Sequence, residues 1–260
     1  MQNPPLKVVL GIFLAVVLLQ IPAEFIIAGF SVAWGILINE ALFILAVPLA
    51  ILKLMGFGIS SILPLGRPGK RQVLVAACMT LGAAVVISYV RSASDHLIPL
   101  PEAFVARQTR AMAVRSWNDF FPKLLLLGMI APFCEEILFR GIIQPALARR
   151  TGSAISIVIT AVFFALIHST SFQPHLYLLL GLLFSWLFAV TGSLRITIMC
   201  HAINNSWALA NQVRGLGFPI EGSMRAADWT LLASGALIVL AGAILMMRFK
   251  RETARGRSGA

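Results

Sequence analysis

The chain has 260 residues, of which 59% are hydrophobic and only 12% are charged. Soluble domains carry about 25% charged residues, so this composition excludes a soluble fold, whose surface it could not cover. The formal net charge is +11, but the basic residues stand in short clusters between apolar runs. That pattern is typical of contact with an anionic membrane face and disfavours nucleic acid as a partner. The composition therefore predicts a membrane protein whose first partner is the lipid bilayer.

Long apolar segments occur throughout the chain and predict eight transmembrane helices. A helix needs about 20 mostly apolar residues to cross the hydrocarbon core of a bilayer. The predicted fold class is thus all-α, a polytopic membrane helix bundle that forms a single integral membrane domain over residues 1–260. In chain order, the predicted spans are 8–28, 32–52, 73–90, 123–148, 154–171, 176–192, 196–212 and 229–247.

Two segments outside the predicted spans differ in character. Residues 91–122 are mixed in charge and contain Pro99 and Pro101, and we expect an interfacial helix around 103–117. The tail 248–260 is basic, and we expect it to be disordered. An even number of spans puts both termini on one side of the membrane. Most of the Lys and Arg residues fall on that side, so the sequence predicts a multi-pass protein of the cell membrane with both termini in the cytoplasm.

Charged side chains inside the predicted spans are candidate functional residues, because each costs about 2.5 kcal/mol or more at the bilayer centre. Three of them lie in the fourth span. Glu136 and Arg140 are four residues apart and are expected to pair on one helix face. Glu135 is turned away by about 100° and stays free to act as a base or a ligand. A purely structural ion-pair network is the alternative. For the carboxylates of the first two spans, Glu24 and Glu40, we expect packing or substrate-cavity roles.

Two later spans each present a histidine on a polar face. His168 follows Phe164 by four positions in the fifth span, and His201 precedes Asn205 by four in the seventh. A neutral histidine can bind a metal or act as a base, and an asparagine can donate to a developing oxyanion. If the polar faces converge, the Glu/His/His set can hold zinc with an open position for water. It can equally hold water directly, with a glutamate as general base and no metal.

Convergence requires the carboxylates and both imidazoles to lie within about one helix diameter, roughly 10 Å. The predicted spans place Glu135 near mid-membrane, His168 near the outer end of the fifth span and His201 nearer the inner end of the seventh. Those depths differ. We therefore expect shifted span ends, or helices that are tilted or broken near Gly181 and Gly192.

Three short motifs follow one another on these apolar segments: Glu-Glu-x-x-x-Arg, Phe-x-x-x-His and His-x-x-x-Asn. Each is weak alone, but the three in this order resemble the CPBP family of intramembrane endopeptidases. That name stands for CAAX protease and bacteriocin-processing enzymes, also called the Abi family, and the family includes the type II CAAX prenyl endopeptidases. The resemblance covers residues 123–212, the predicted catalytic core. The residues that carry it are Glu135, Glu136, Arg140, Phe164, His168, His201 and Asn205.

The resemblance implies an eight-helix endopeptidase that cleaves membrane-associated or lipidated proteins and peptides. In such an enzyme Glu135 is expected to be the general base that activates water, and Asn205 the oxyanion donor. His168 and His201 are expected to bind the water, or a zinc ion that Glu135 would also bind. The Glu136–Arg140 pair would support them.

Two other functions stay open at the level of sequence. A protein of the same fold can be a non-catalytic membrane scaffold or an immunity protein. Buried carboxylates and histidines also build the proton relays of transporters. A transporter is the less favoured of the two, because related halves are typical of transporters and none is evident here.

Overall fold

The structure, a computed structural model, describes residues 3–27, 32–103, 105–106, 113–114, 116–168, 173–211 and 226–258. In these ranges the regular elements are helices, which confirms the all-α class. A helical turn at Ile59–Ile62 connects the second and third long helices. The long helices are α1 (Leu6–Ile27), α2 (32–54), α3 (Lys70–Leu97), α4 (117–151), α5 (Ser153–Ile167), α6 (Pro174–Thr191), α7 (Leu194–Ala210) and α8 (Ala226–Ser258).

Helices α2 and α4 contain wider, π-helical stretches, and a proline follows each of these stretches. A proline cannot donate the regular main-chain hydrogen bond, so the turn before it tends to open. Pro48, Pro132 and Pro145 are each the second residue after such a stretch. Stretches of this kind are frequent at functional sites. They are Asn39–Ala46 in α2, and Leu126–Ile130 and Ile137–Ile143 in α4.

The helices have the length and apolar character of a multi-pass membrane protein. Among the described residues, four helices are long and apolar enough to cross a bilayer, and shorter apolar helices occur at Leu6–Gln20 and Ser153–Ile167. The count of eight crossings and the side on which the termini lie stay predictions. The four long candidates are Ala33–Leu54, Lys70–Leu97, Pro174–Thr191 and Ala227–Glu252.

Helix α4 lies at the centre of the bundle. Its middle, from Cys134 to Ile143, is buried on all sides. Helices α2, α5 and α7 pack against it, whereas α8 packs along α3 at the periphery. The α3–α8 contact is close because two glycines face each other: a Cβ on Gly82 would lie 2.8 Å from the carbonyl oxygen of Gly235. In a membrane, where no hydrophobic effect drives helices together, small residues allow such close packing.

Helices α5 and α6 form a second close pair, at Gly181. A Cβ on Gly181 would lie 2.9 Å from the Cα of Ala161 in α5. The missing side chain of Gly181 allows this contact, and α6 continues through the glycine without a break, so of the expected alternatives a break at Gly181 does not occur. Gly192 does end the helix, with a φ of +64° that favours glycine.

Several helix ends differ from those predicted. Helix α4 begins at Trp117, before the predicted start at 123, because the Ser116 side chain accepts the Asp119 N–H and caps it. Helix α8 continues to Ser258, so the tail is helical there instead of disordered. Its Arg, Lys and Ala residues are good helix formers. Most of the interfacial segment 103–117 and the side chain of Glu24 lie outside the described part of the chain.

Replacing Gly181 by alanine should destabilise the bundle by about 1–3 kcal/mol, because the added methyl group forces α5 and α6 apart. The measurement is thermal unfolding of the purified protein in detergent. Gly11→Ala is the matched control: a Cβ there meets nothing within 4 Å, and alanine favours a helix interior. Equal midpoints for the two variants would contradict the close contact.

Candidate active site

The centre of the site is an ion pair between consecutive turns of α4. The Arg140 Nη1 donates to Glu136 Oε1 at 2.7 Å, and both side chains are fully buried. The predicted pairing of these two residues is thus confirmed. The same Glu136 oxygen lies 2.9 Å from His201 Nδ1 on α7. The Glu136 Oε1 therefore binds the Arg140 guanidinium and also connects α4 to α7.

Arg140 also connects α4 to α6. Its Nη2 donates to the Gly181 carbonyl oxygen at 3.0 Å and to Ser185 Oγ at 3.4 Å. The guanidinium carbon lies 4.9 Å from the centroid of the Phe164 ring on α5, within the range of a cation–π contact. The charge is thereby surrounded by partners from three helices.

Glu135 points to a different part of the site, between the two histidines. Its Oε1 lies 3.8 Å from His168 Nε2, and its Oε2 lies 3.8 Å from His201 Nε2. The Glu135 and His201 side chains are almost fully buried, whereas 21% of the His168 side chain is exposed. The carboxylates and imidazoles thus lie together, well within the expected 10 Å; their roles in catalysis stay predictions.

The other nitrogen of each ring determines which way the imidazoles face. His168 Nδ1 lies 2.8 Å from the Phe164 carbonyl oxygen, which can only accept, so this nitrogen carries the proton. His201 Nδ1 faces the ionised Glu136 in the same way. In the neutral rings both Nε2 atoms are therefore acceptors, and both are directed at Glu135.

Two aromatic side chains of α6 that the motifs do not include hold the histidine rings in place. Tyr177 stacks on His168 with ring centroids 4.1 Å apart, and Phe184 stacks on His201 at 4.9 Å. Together with Gly181 they recur at helical spacing along one face of α6. That periodicity was available in the sequence, but it is also what an ordinary packing face looks like.

Asn205 lies one turn beyond His201, but its side-chain hydrogen bonds in the described part of the chain go to residues other than the carboxylates, the guanidinium and the two imidazoles. Its Nδ2 donates to the Leu127 carbonyl oxygen in α4 at 2.9 Å, and its Oδ1 accepts from Asn204 Nδ2 at 3.3 Å. Leu127 belongs to a π-helical stretch, where main-chain carbonyls lose their regular partners. Its expected role as an oxyanion donor stays a prediction.

The expected zinc ligands Glu135, His168 and His201 have suitable donor atoms, but their spacing is wide. Zinc bonds of about 2.0–2.1 Å place tetrahedral ligands about 3.3 Å apart, against 3.8 Å for both Glu135–histidine separations. In the described part of the chain no three His, Cys, Asp or Glu residues stand close enough to hold a metal ion as they are. Zinc binding stays a prediction, and no step below depends on it.

Comparison with known proteins finds matches to the part of the chain that contains these site residues. Residues 117–207 match the family model of the Rce1-like type II CAAX prenyl endopeptidases. The Bacillus subtilis (strain 168) protein named "Putative membrane peptidase YdiL" is 29% identical over 90 residues, which make up 35% of this chain and 37% of that relative. The matched part is thus little more than a third of either protein. No solved structure matches the chain.

The matched region contains the residues of all three motifs. That these residues lie close together is shown by the packing of α4 to α7 and not by the match. The matched region includes the carboxylates and guanidinium of α4, the histidine after α5 and the histidine and asparagine of α7. The resemblance that these motifs carry is therefore confirmed: residues 117–207 are similar to the Rce1-like type II CAAX prenyl endopeptidases.

Proposed function

We propose that the protein is an intramembrane endopeptidase that hydrolyses peptide bonds of membrane-associated or lipidated proteins and peptides. The observation that carries the proposal is the arrangement around Glu135. A buried carboxylate faces the acceptor nitrogens of His168 and His201, each at 3.8 Å. Acceptors do not bind one another, whereas a water molecule between them can donate one proton to the carboxylate and one to an imidazole. That water is the nucleophile.

In the proposed reaction Glu135 takes one proton from the water as its oxygen attacks the scissile carbonyl carbon. The new C–O bond leaves a tetrahedral intermediate whose negative charge is on the former carbonyl oxygen. Glu135 then gives its proton to the amide nitrogen, and the C–N bond breaks. The products are a new carboxyl group and a new amine, and the glutamate returns to its ionised form.

The remaining residues have positioning roles in this proposal. Glu136 keeps His201 in the tautomer that accepts from water, and Arg140 keeps Glu136 ionised and in place. One N–H of the Asn205 amide donates to the Leu127 carbonyl. The second N–H of the same amide is the donor we assign to the oxyanion. The His168 side chain is more exposed than those of Glu135, Glu136, Arg140 and His201, so its side of the site faces the incoming substrate.

Glu135→Gln should lower kcat by at least about 100-fold, because an amide cannot take a proton from water, although it fills the same space. Cleavage is measured with a library of membrane-anchored peptides and the purified protein. Glu102→Gln, at an exposed position outside the site, is the control and should cleave like the wild type.

A Glu135→Gln protein that still cleaves would contradict the assigned base. A folded wild type that cleaves nothing in the library would favour a non-catalytic scaffold or immunity protein instead. Proton-coupled uptake that depends on Glu135 would favour a transporter.

Arg140→Met should destabilise the protein by about 3–5 kcal/mol, because it leaves the Glu136 carboxylate buried without its cation. Thermal unfolding is the measurement, with Arg150→Met at an exposed position as the control. Adding Glu136→Gln to Arg140→Met removes the unpaired charge and should restore part of the midpoint. If the double variant is no more stable than Arg140→Met alone, the buried charge is not the cause.

Cleavage should survive removal of metal ions, because the donor atoms as spaced suit a water molecule without a metal. The protein is treated with a chelator and assayed together with its zinc content. Loss of activity that returns with stoichiometric zinc would show instead that Glu135, His168 and His201 close around the ion. Zinc would then polarise the water or the substrate carbonyl.

A further inference from the structure

A third buried carboxylate, Glu40, lies outside the three motifs and has no role in the reaction described above. Only 7% of it is exposed. It stands at the start of the π-helical stretch of α2, a kind of element that is common at functional sites. Within the described residues it forms no ion pair, and Arg140, the buried cation nearest the site, is already occupied by Glu136.

A row of side-chain hydrogen bonds fixes the orientation of the Glu40 carboxyl group. Gln20 of α1 donates from Nε2 to Asn39 Oδ1 at 3.2 Å, and Asn39 donates from Nδ2 to Glu40 Oε1 at 3.2 Å. The other oxygen, Oε2, is buried and has no hydrogen-bond partner in the described part of the chain. One oxygen is therefore held by the protein, and the second is presented for another group.

Glu40 lies on the side of α2 that faces the site. The π-helical stretch of α2 packs on the segment of α4 that carries Glu135. Glu40 and Glu135 lie close enough to interact electrostatically. The Glu40 carboxyl group is therefore a neighbour of the proposed base.

The hydrogen bonds of Gln20 and Asn39 link α1 to α2, but they leave the Glu40 Oε2 without a partner in the described part of the chain. A buried polar group that lacks a hydrogen-bond partner destabilises the folded state, and an apolar side chain of the same size would serve packing better. A peptide that enters a membrane-embedded site has the opposite need. Its main-chain N–H and C=O groups have left water and require protein partners. A carboxyl group can serve either: it accepts from N–H when ionised and donates to C=O when protonated.

We propose that Glu40 is a substrate-binding residue whose Oε2 hydrogen-bonds the peptide main chain beside the scissile bond. Gln20 and Asn39 are positioning residues that aim it. The assignment rests on the proposed peptidase function, and it adds α1 and α2 to a site otherwise built from α4 to α7.

Glu40→Met removes the hydrogen-bonding oxygens and keeps the size of the side chain. KM should rise about tenfold, the loss expected for one hydrogen bond of ordinary strength, while kcat changes less than twofold. The thermal midpoint should stay equal or rise, because the polar group without a partner is gone. Glu40→Gln, which keeps an oxygen and a nitrogen, should lie between the methionine variant and the wild type. Leu42→Met, on the exposed side of the same stretch, is the control.

Affinity for an uncleaved peptide gives a readout that is independent of turnover. In the Glu135→Gln background, where the library peptides should stay intact, Glu40→Met should weaken peptide binding about tenfold. Unchanged KM and affinity would overturn the proposal. So would a lowered thermal midpoint together with a fall in kcat alone, since that result assigns Glu40 to the fold. If the wild type cleaves nothing, the peptidase function fails. Weaker peptide binding by Glu40→Met would then still support the binding role.

Discussion

Arg140 brings a full positive charge into the middle of an apolar bundle, and much of the surrounding structure follows from the need to satisfy it. A guanidinium buried without partners would be too costly to fold. Its donors bind Glu136 in its own helix and the main chain at Gly181 in α6, and Glu136 in turn binds His201 in α7. The carbonyl at Gly181 comes within reach of α4 in the same region where the absent side chain lets α5 approach α6. Electrostatics and close packing thus hold four helices at one depth.

The same interactions determine which nitrogen of each histidine carries the proton. Because the Glu136 carboxylate accepts from His201 Nδ1, the Nε2 of that ring is left as an acceptor. The Phe164 carbonyl has the same effect on His168. Glu135, turned away from Arg140, receives no such partner and lies between the two acceptor nitrogens. In the proposed reaction, stability and reactivity are therefore divided between adjacent glutamates: Glu135 is available for water, and Glu136 is bound to Arg140 and His201.

Sequence periodicity predicted which residues share a helix face, and this was sufficient for the all-α class, for the pairing of Glu136 with Arg140 and for the polar faces of α5 and α7. It could not predict depth, because depth depends on where a helix begins relative to its neighbours. A break at Gly181 was one of the alternatives expected from the difference in depth, and α6 has no break there. Glycine in a helix can mark a bend or a close contact, and only the position of Ala161 decides between them. Tyr177 and Phe184 were missed because aromatic residues at helical spacing are usually packing residues.

Among the described residues, three carboxylates and one guanidinium are buried, and the partners of each carboxylate distinguish their roles. Glu136 has a guanidinium and an imidazole, and its contribution is to order other groups. Glu135 has only ring nitrogens, at a distance that fits an intervening water. Glu40 has an amide on one oxygen and nothing recorded on the other. A membrane interior penalises each missing partner more than water would. We therefore assign the incomplete partners of Glu135 to a water molecule and the free oxygen of Glu40 to a peptide, as proposed above.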